Sequence, residues 1–471
     1  MLDQVFKAAT RLDQLVAAAI RSDMEHRGFD YHGPGVYSQG DLTGLRLQVQ
    51  NATVRWEYRA AYPGDTAGDM MRDQFDAQAQ HMQEVLQEQV FGFWPAQLHE
   101  VFAPWLPGAL PSPLPFLMGA AQVKSGADEL AVDAHLDPAA GRYPAANSRL
   151  ANDLNNLYTL AMSLDGLYIE NFAADFLGPL RMSVGCQHSL VSLLHITLAS
   201  EAELWSRAAA DVAAIQTQAV QAMLASGPNS GGSMDWRPVL TVVGTIAAAV
   251  ATFMTAGTAA AVAAGLTSVG ALTAADLFKP TETSDREELS LGGASPREVL
   301  ESVKKALATL GGAIREVEEA AADALVDAAK KADAGGFALA RRAQASPSDA
   351  LDRQSLVTLN KRKLSRIIDL YLPSVATDLR QARQPLGWSE SGPWQRSGSI
   401  GFGDTGPLRE YQRTQEAAIE VLTETIRDLE AAEEALRATA QEFDLIDEVA
   451  AAEFRALAER IAQENINDVN W

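Results

Sequence analysis

The sequence predicts an all-α fold: an elongated bundle of long helical hairpins with a central, uncharged, Ala/Gly-rich helical hairpin. Three observations predict it. Apolar residues recur three and four positions apart over long stretches, the period of a helix that buries one stripe. Clusters of Gly, Pro and Ser cut the chain into pieces long enough for antiparallel helix pairs. No charge occurs in the 38 residues between Arg237 and Asp276, although the 471-residue chain has a formal net charge of −23.

A chain of this length buries a core without disulfides. Its one cysteine, Cys186, lies in SVGCQHSLVSLL and reads as a small buried hydrophobe. The excess of 61 acidic over 38 basic residues argues against nucleic acid as a partner, because phosphate binding needs basic patches.

The N-terminus carries charges at regular intervals with Leu2, Val5, Phe6, Leu12, Leu15, Val16 and Ile20 between them, an amphipathic helix and not a cleaved signal peptide. DYHGPGVYSQGD reads as a loop. In the following stretch Leu45, Leu47, Val49, Val54, Trp56 and Tyr58 alternate like a hairpin, while Leu42, Leu45, Val49, Ala52 and Trp56 fit a helical face. The helical neighbours favour helix. DMMRDQFDAQAQHMQEVLQEQVFGF is a further helix, and FAPWLPGALPSPLPF, with five prolines, a rigid surface connection. After a loop around Asp133 to Tyr143, two long helices joined near Gly166 to Pro179 form an αα-hairpin.

Ser226 to Ser233 is a flexible break before the uncharged segment, and Lys279 to Ser295 a polar linker after it. Ser295, Pro296, Arg297 and Glu298 match a capping box with proline at the first helical position. Leu300, Val303, Leu307, Leu310, Ile314, Val317 and Ala321 then form a seam for a partner helix. Helical periodicity resumes after ADAGGFALARR and kinks at Pro373. QPLGWSESGPWQRSGSIGFGDTGP is an irregular connection. After it Ile419, Leu422, Ile426, Leu429, Leu436, Ala440 and Phe443 repeat the seam, with Glu433 as a charge on it. The basic run Lys361, Arg362, Lys363 and Arg366 offers partners for Glu433.

Motifs of catalysis are missing: no GxxxxGK[ST], GxGxxG after a strand, HExxH, acidic calcium loop or GxSxG. His188 and His195 share a helix face but stand two turns apart, about 10.5 Å, too far for one metal ion. Gly292 and Gly293 precede a helix start, yet Glu287, Glu288 and Glu298 would repel phosphate. The expectation is a non-enzymatic protein with no catalytic residues, cofactor or metal.

The stretch LDGLYIENFAADFLGPLRMSVGCQHSLVSLLHITLASEAELWSRAAADV resembles the turn and second helix of actinobacterial Trp-X-Gly (WXG) superfamily proteins, helical-hairpin substrates and partners of type VII (ESX) secretion. Tyr168, Ile169 and Glu170 occupy the turn, in place of Trp and Gly, and Ala173, Ala174 and Phe176 match the helix start. A second stretch, GFGDTGPLREYQRTQEAAIEVLTETIRDLEAAEEALRATAQEFDLID, is similar to the second helix of the same superfamily. The resemblance implies an export signal just after that helix, filled here by Phe443 and Asp447, with phenylalanine replacing tyrosine. A literal match, Tyr37 to Asp41, lies in a Gly-rich loop. The organisation that follows is an N-terminal helical region (1–135), a WXG-like hairpin (136–235), an uncharged hairpin (236–278) and a C-terminal helical region with a second WXG-like hairpin (279–471).

Gly257 divides the uncharged segment into Val239 to Ala256 and Thr258 to Ala275, each 18 residues and about 27 Å long as helix, near the roughly 30 Å hydrocarbon thickness. Gly244, Gly257, Ala261, Gly265 and Gly270 are small enough for close helix approach in lipid. Ala, Thr and Gly dominate, so the drive to partition is weak. Three readings follow: a hairpin buried in the bundle, a hairpin released into membrane on oligomerisation as in α-helical pore-forming toxins, and a permanent anchor. The function expected is type VII-associated self-assembly and membrane interaction, with self-association or a helical-hairpin protein as partner and no nucleic acid. Its location would be outside the cell by a signal-peptide-independent route, or at a membrane. The alternatives are a pore-forming protein and an intracellular scaffold for partner helices.

Overall fold

The computed structural model describes residues 2–39, 45–58, 66, 70–132, 147–164, 169, 172–226, 291–339, 361–388 and 390–467. The uncharged hairpin, with Gly244, Gly257, Ala261, Gly265 and Gly270, lies outside them, as do Tyr168, Glu170, Asp41 and the loop around Asp133 to Tyr143.

Helices dominate, and the organising one is α6. In chain order α1 (Leu2–His26) leads into four strands, then come α2 (Arg72–Leu86), α3 (Phe93–Phe102), α4 (Pro113–Leu130), α5 (Ser148–Met162) and α6 (Gly178–Ala225). The second half supplies α7 (Pro296–Asp333), α8 (Lys361–Arg366), α9 (Leu372–Arg383) and α10 (Leu408–Asn467). In α6 every residue from Ile196 to Ala202 is buried, close to two full turns, so the middle of this helix is covered on all sides. Helices α1, α4, α7 and α10 all pack on it. One core cluster runs from Leu12 to Leu436.

The expectation of a purely helical chain is corrected between residues 29 and 58. β1 (Phe29–Gly33), β2 (Val36–Gln39), β3 (Leu45–Gln50) and β4 (Thr53–Tyr58) form an antiparallel meander. The pairs Leu45 with Tyr58, Leu47 with Trp56 and Val49 with Val54 are those of the alternating pattern, which prevails over the helical one. The turn explains why. Asn51 and Ala52 take φ of 48° and 64°, the left-handed pair that a two-residue hairpin requires. The sheet rests on α1 and α2, where Trp56 packs against Phe75 with tilted rings 5.1 Å apart and its Nε1 donates to Asp76.

The αα-hairpin expected across residues 147–225 is also corrected. Helix α5 packs on α9 and on the π turn Phe172–Leu177, and α4 takes the place along α6. Arg149 pairs with Asp378, and Ser374 Oγ donates to Asp153 at 2.6 Å, so α5 belongs to the C-terminal half. The proline-rich segment is no mere surface connection, because Trp105 is buried and Pro113 opens α4.

Three π turns, Gln87–Phe91, Phe172–Leu177 and Ile367–Tyr371, precede Pro95, Pro179 and Pro373. A proline inside a helix lacks the N–H and crowds the carbonyl four residues back, and a widened turn absorbs both. The wide bonds are explicit in Gly92 N to Gln87 O and Leu372 N to Ile367 O. The helical path thus continues past Pro373.

The seam of α7 is as expected, with Leu300, Val303, Leu307, Leu310, Ile314, Val317 and Ala321 all buried. On α10 Leu422, Ile426, Leu429 and Leu436 are buried, and Ile419 and Ala440 half-buried. Glu433 pairs with Arg437, its neighbour one turn on, which also bridges to Asp369.

The start of α7 is a capping box in which Ser295 Oγ accepts from Glu298 N at 3.4 Å, while Glu298 Oε2 accepts from Ala294 N at 2.7 Å. Ser295→Ala is expected to lower unfolding free energy by about 1 kcal/mol in urea denaturation, with the slope unchanged.

Candidate functional site

The most heavily built polar site lies where the irregular segment after α9 crosses α6 and α7. Two aromatic anchors bring it there. Trp388 packs on α4 at Gly119, where an added Cβ would come within 2.7 Å of the indole, and Trp394 meets Phe116 edge-on at 4.8 Å. Both indoles also contact Tyr411 of α10. Gln415 Nε2 donates to the carbonyls of Leu386 and Trp388. So fastened, the segment drives Arg396 into the core.

Arg396 there contacts one carboxylate and lies within the field of a second. Its Nη2 lies 2.5 Å from Glu318 Oε1 on α7, and both side chains are 0 % exposed. Its guanidinium lies over the Trp205 ring of α6, 4.9 Å from the centroid. Trp205 Nε1 donates to Glu201 Oε2 at 2.9 Å, and Glu201 is buried at 2 % exposure. The backbone N–H of Phe402 donates to Glu318 Oε2 at 2.6 Å. The Arg396–Glu318 contact is ionic but misaligned, because Glu318 Oε1 and both Arg396 Nη atoms have no aligned hydrogen-bond partner among the described residues.

Burial pushes both acids up, Glu201 to about 7 and Glu318 to about 8, with Arg396 pulling both down. Glu201 raises Glu318 further by repulsion. The pair titrates jointly, and the neutral state of the cluster is one guanidinium, one carboxylate and one carboxylic acid. Raised carboxyls are typical of acid–base catalysts. Here the groups face one another inside the core, and the arrangement holds helices together.

Two glycines permit the fit. Gly401 has φ +68°, and a Cβ there would sit 2.3 Å from Glu318 Oε2, while a Cβ on Gly406 would sit 2.4 Å from Arg396 Nη2. Gly403 has φ +75° with nothing within 4 Å of its Cβ position. Gly401→Ala is expected to cost roughly 3 kcal/mol, from strain plus collision with a buried carboxylate, and Gly403→Ala about 1 kcal/mol, from strain alone. Thermal unfolding of both variants checks the difference.

A second feature is a cavity of about 530 Å³ between α1, the sheet, the first π turn and the end of α6. The turns at Pro34–Gly35 and Asn51–Ala52 form part of its wall, opposite Val220 and Leu224. Arg21, its charged lining residue, is already held by Glu25 at 2.8 Å and stacked on Tyr31 at 4.2 Å, and burial pushes the Tyr37 hydroxyl up to about 12. The cavity therefore presents apolar walls and neutral hydroxyl and amide groups.

Beside the cavity the chain leaves and rejoins the described structure. Ser226, at the end of α6, hydrogen-bonds through its hydroxyl to the Ser22 hydroxyl at 2.9 Å. His26, one turn further along α1, lies 3.1 Å through Nε2 from the carbonyl of Ala294. Both ends of residues 227–290 are thus tied to one turn of α1.

The other expected sites fall out as follows. Ala173 is buried, Ala174 exposed and Phe176 half-buried against Phe172, all in the π turn before α6. Phe443 and Asp447 do not follow the helix, as the resemblance requires, because α10 continues to Asn467. Tyr37 is in β2. Cys186 and His188 are buried, and His195 Nδ1 lies 2.9 Å from the Ala120 carbonyl, with burial pushing its imidazole down. Sequence reasoning missed Glu201, Glu318 and Arg396. The available signal was the pair of tryptophans with six glycines around one arginine in an otherwise irregular stretch. Among the described residues no helix is long and apolar enough to cross a membrane, and no group of three or more potential ligands for a metal ion occurs. No family model, curated protein or solved structure matches this chain.

Proposed function

We propose that the protein acts by assembly and membrane contact and not by catalysis, that residues 239–275 are the contacting element, and that the chain is a WXG-like substrate or partner of a type VII secretion system. The observation that carries this reading is the anchoring of both ends of residues 227–290 on one turn of α1, through Ser22 with Ser226 and His26 with Ala294. Such anchoring lets a bundle carry an uncharged segment without routing its own helices through it. The segment's small residues and two 18-residue arms suit close helix pairing in lipid. The type VII assignment leans on the resemblance around Ala173, Ala174 and Phe176, and no longer on Phe443 and Asp447.

The scaffold reading has one observation in its favour. Leu114, Leu117 and Met118 lie on one face of α4 and are 61 %, 53 % and 66 % exposed. A partner helix laid on that face would bury them.

Liposome co-flotation with dye release separates the readings. Wild type is expected to float and release dye, and Gly257→Asp to lose both by roughly a hundredfold, the effect of a buried charge costing about 3 kcal/mol. The variant should unfold at the wild-type temperature. A wild-type protein that neither floats nor releases dye would refute the membrane reading and leave the scaffold.

A further inference from the structure

We propose that Glu201, Arg396 and Glu318 form a proton-dependent latch that fastens the two helices flanking residues 227–290 to each other through the segment Trp394–Pro407. Helix α6 ends at Ala225, immediately before those residues, and α7 begins at Pro296, after them. Glu201 stands on α6, Glu318 on α7, and Arg396 enters between them. The latch does not depend on what residues 239–275 touch, so it stands or falls apart from the membrane reading.

The charge balance sets its direction. With one carboxyl protonated, the cluster is neutral and Arg396 serves a single carboxylate. With both ionised it holds a net negative charge in a site where all three side chains are within 2 % of full burial. Buried excess charge is relieved by letting water in, and the part that can move without breaking a helix is Trp394–Pro407. The other charged groups close by do not compensate. Asp404 is acidic and its carbonyl accepts from Arg396 N at 3.0 Å, Glu203 is paired with Arg207, and Arg315 is paired with Glu319. From α10 the segment is faced by Tyr411, whose hydroxyl burial pushes up and keeps neutral.

The sign follows. Both carboxyls are raised in the folded state, so the proton-linked stability is fully present below the ordinary carboxylate range and is lost as pH rises through about 7 to 8, where the neutral cluster gives up its last carboxyl proton. An acidic setting closes it and an alkaline one opens it.

Hydrogen exchange of the peptide spanning residues 395–407, corrected for intrinsic rates, tests this on the full chain at about pH 6 and about pH 9. Wild-type protection is expected to fall by about tenfold or more between them, up to tenfold per pH unit for one retained proton. Glu318→Gln leaves Glu201 and Arg396 as a balanced pair, so that variant is expected to keep its protection at the higher pH. Glu201→Gln gives the same readout should Glu318→Gln fail to fold. Equal wild-type protection at both pH values, or a variant that loses protection as wild type does, would overturn the proposal.

Discussion

Burial of the middle of α6 on every side is the constraint from which the rest follows. Over Ile196 to Ala202 this 48-residue helix, packed by α1, α4, α7 and α10, has no solvent face on which to place polar groups. Polar residues buried along it look inward for partners, although the hydroxyls of Ser183 and Ser200 find none among the described residues. Gln187 Nε2 donates to Thr425 Oγ1 of α10 at 2.6 Å, Thr197 turns its hydroxyl back to the Leu193 carbonyl, and Glu201 takes the Trp205 indole N–H. The bond to Thr425 crosses to α10 and fixes the rotation of α6 against it, while the other two close within α6. Glu201 is the costliest of them. Its charge calls for a cation in the core, and Arg396 is delivered by a segment with no regular structure of its own, held by indoles and relieved by glycines.

That dependence explains what was legible in the sequence. Helices with one buried stripe declared themselves: the α7 seam and its Ser295 cap needed only period and capping chemistry. The sheet did not, because Asn51–Ala52 is a weak turn signal and the same residues satisfy both periods. The pairing of α4 with α6, in place of α5, was hidden for a different reason. Antiparallel pairing of sequence neighbours is a rule about short connections, and a helix whose middle is buried all round, such as α6, gives no single stripe to say which neighbour it prefers. The π turns at Pro95, Pro179 and Pro373 were half visible, since each proline marked a defect but not its repair.

The core site was least legible. Glu318 stands in a helix rich in acids, Glu201 is next but one to Glu203 with nothing in the pattern to set it apart, and Arg396 lies in a glycine- and serine-rich stretch that reads as a loop. Only the meeting of three distant segments gives them meaning. The resemblance to WXG proteins likewise rested on local pattern, and α10 continuing past Phe443 and Asp447 shows how a five-residue motif loses its force when its helix does not end there.

The account's central claim is that the described helices around α6 form a self-sufficient bundle, with Ser226 and Ala294 held by Ser22 and His26. The most direct measurement is thermal and urea unfolding of a chain in which residues 227–290 are replaced by a short Gly/Ser linker. Shortening a loop lowers its closure entropy only slightly, so the account predicts a cooperative transition with stability within about 1 kcal/mol of wild type or a little above it. Loss of cooperativity, or a stability loss of several kcal/mol, would place those residues in the core and contradict the account.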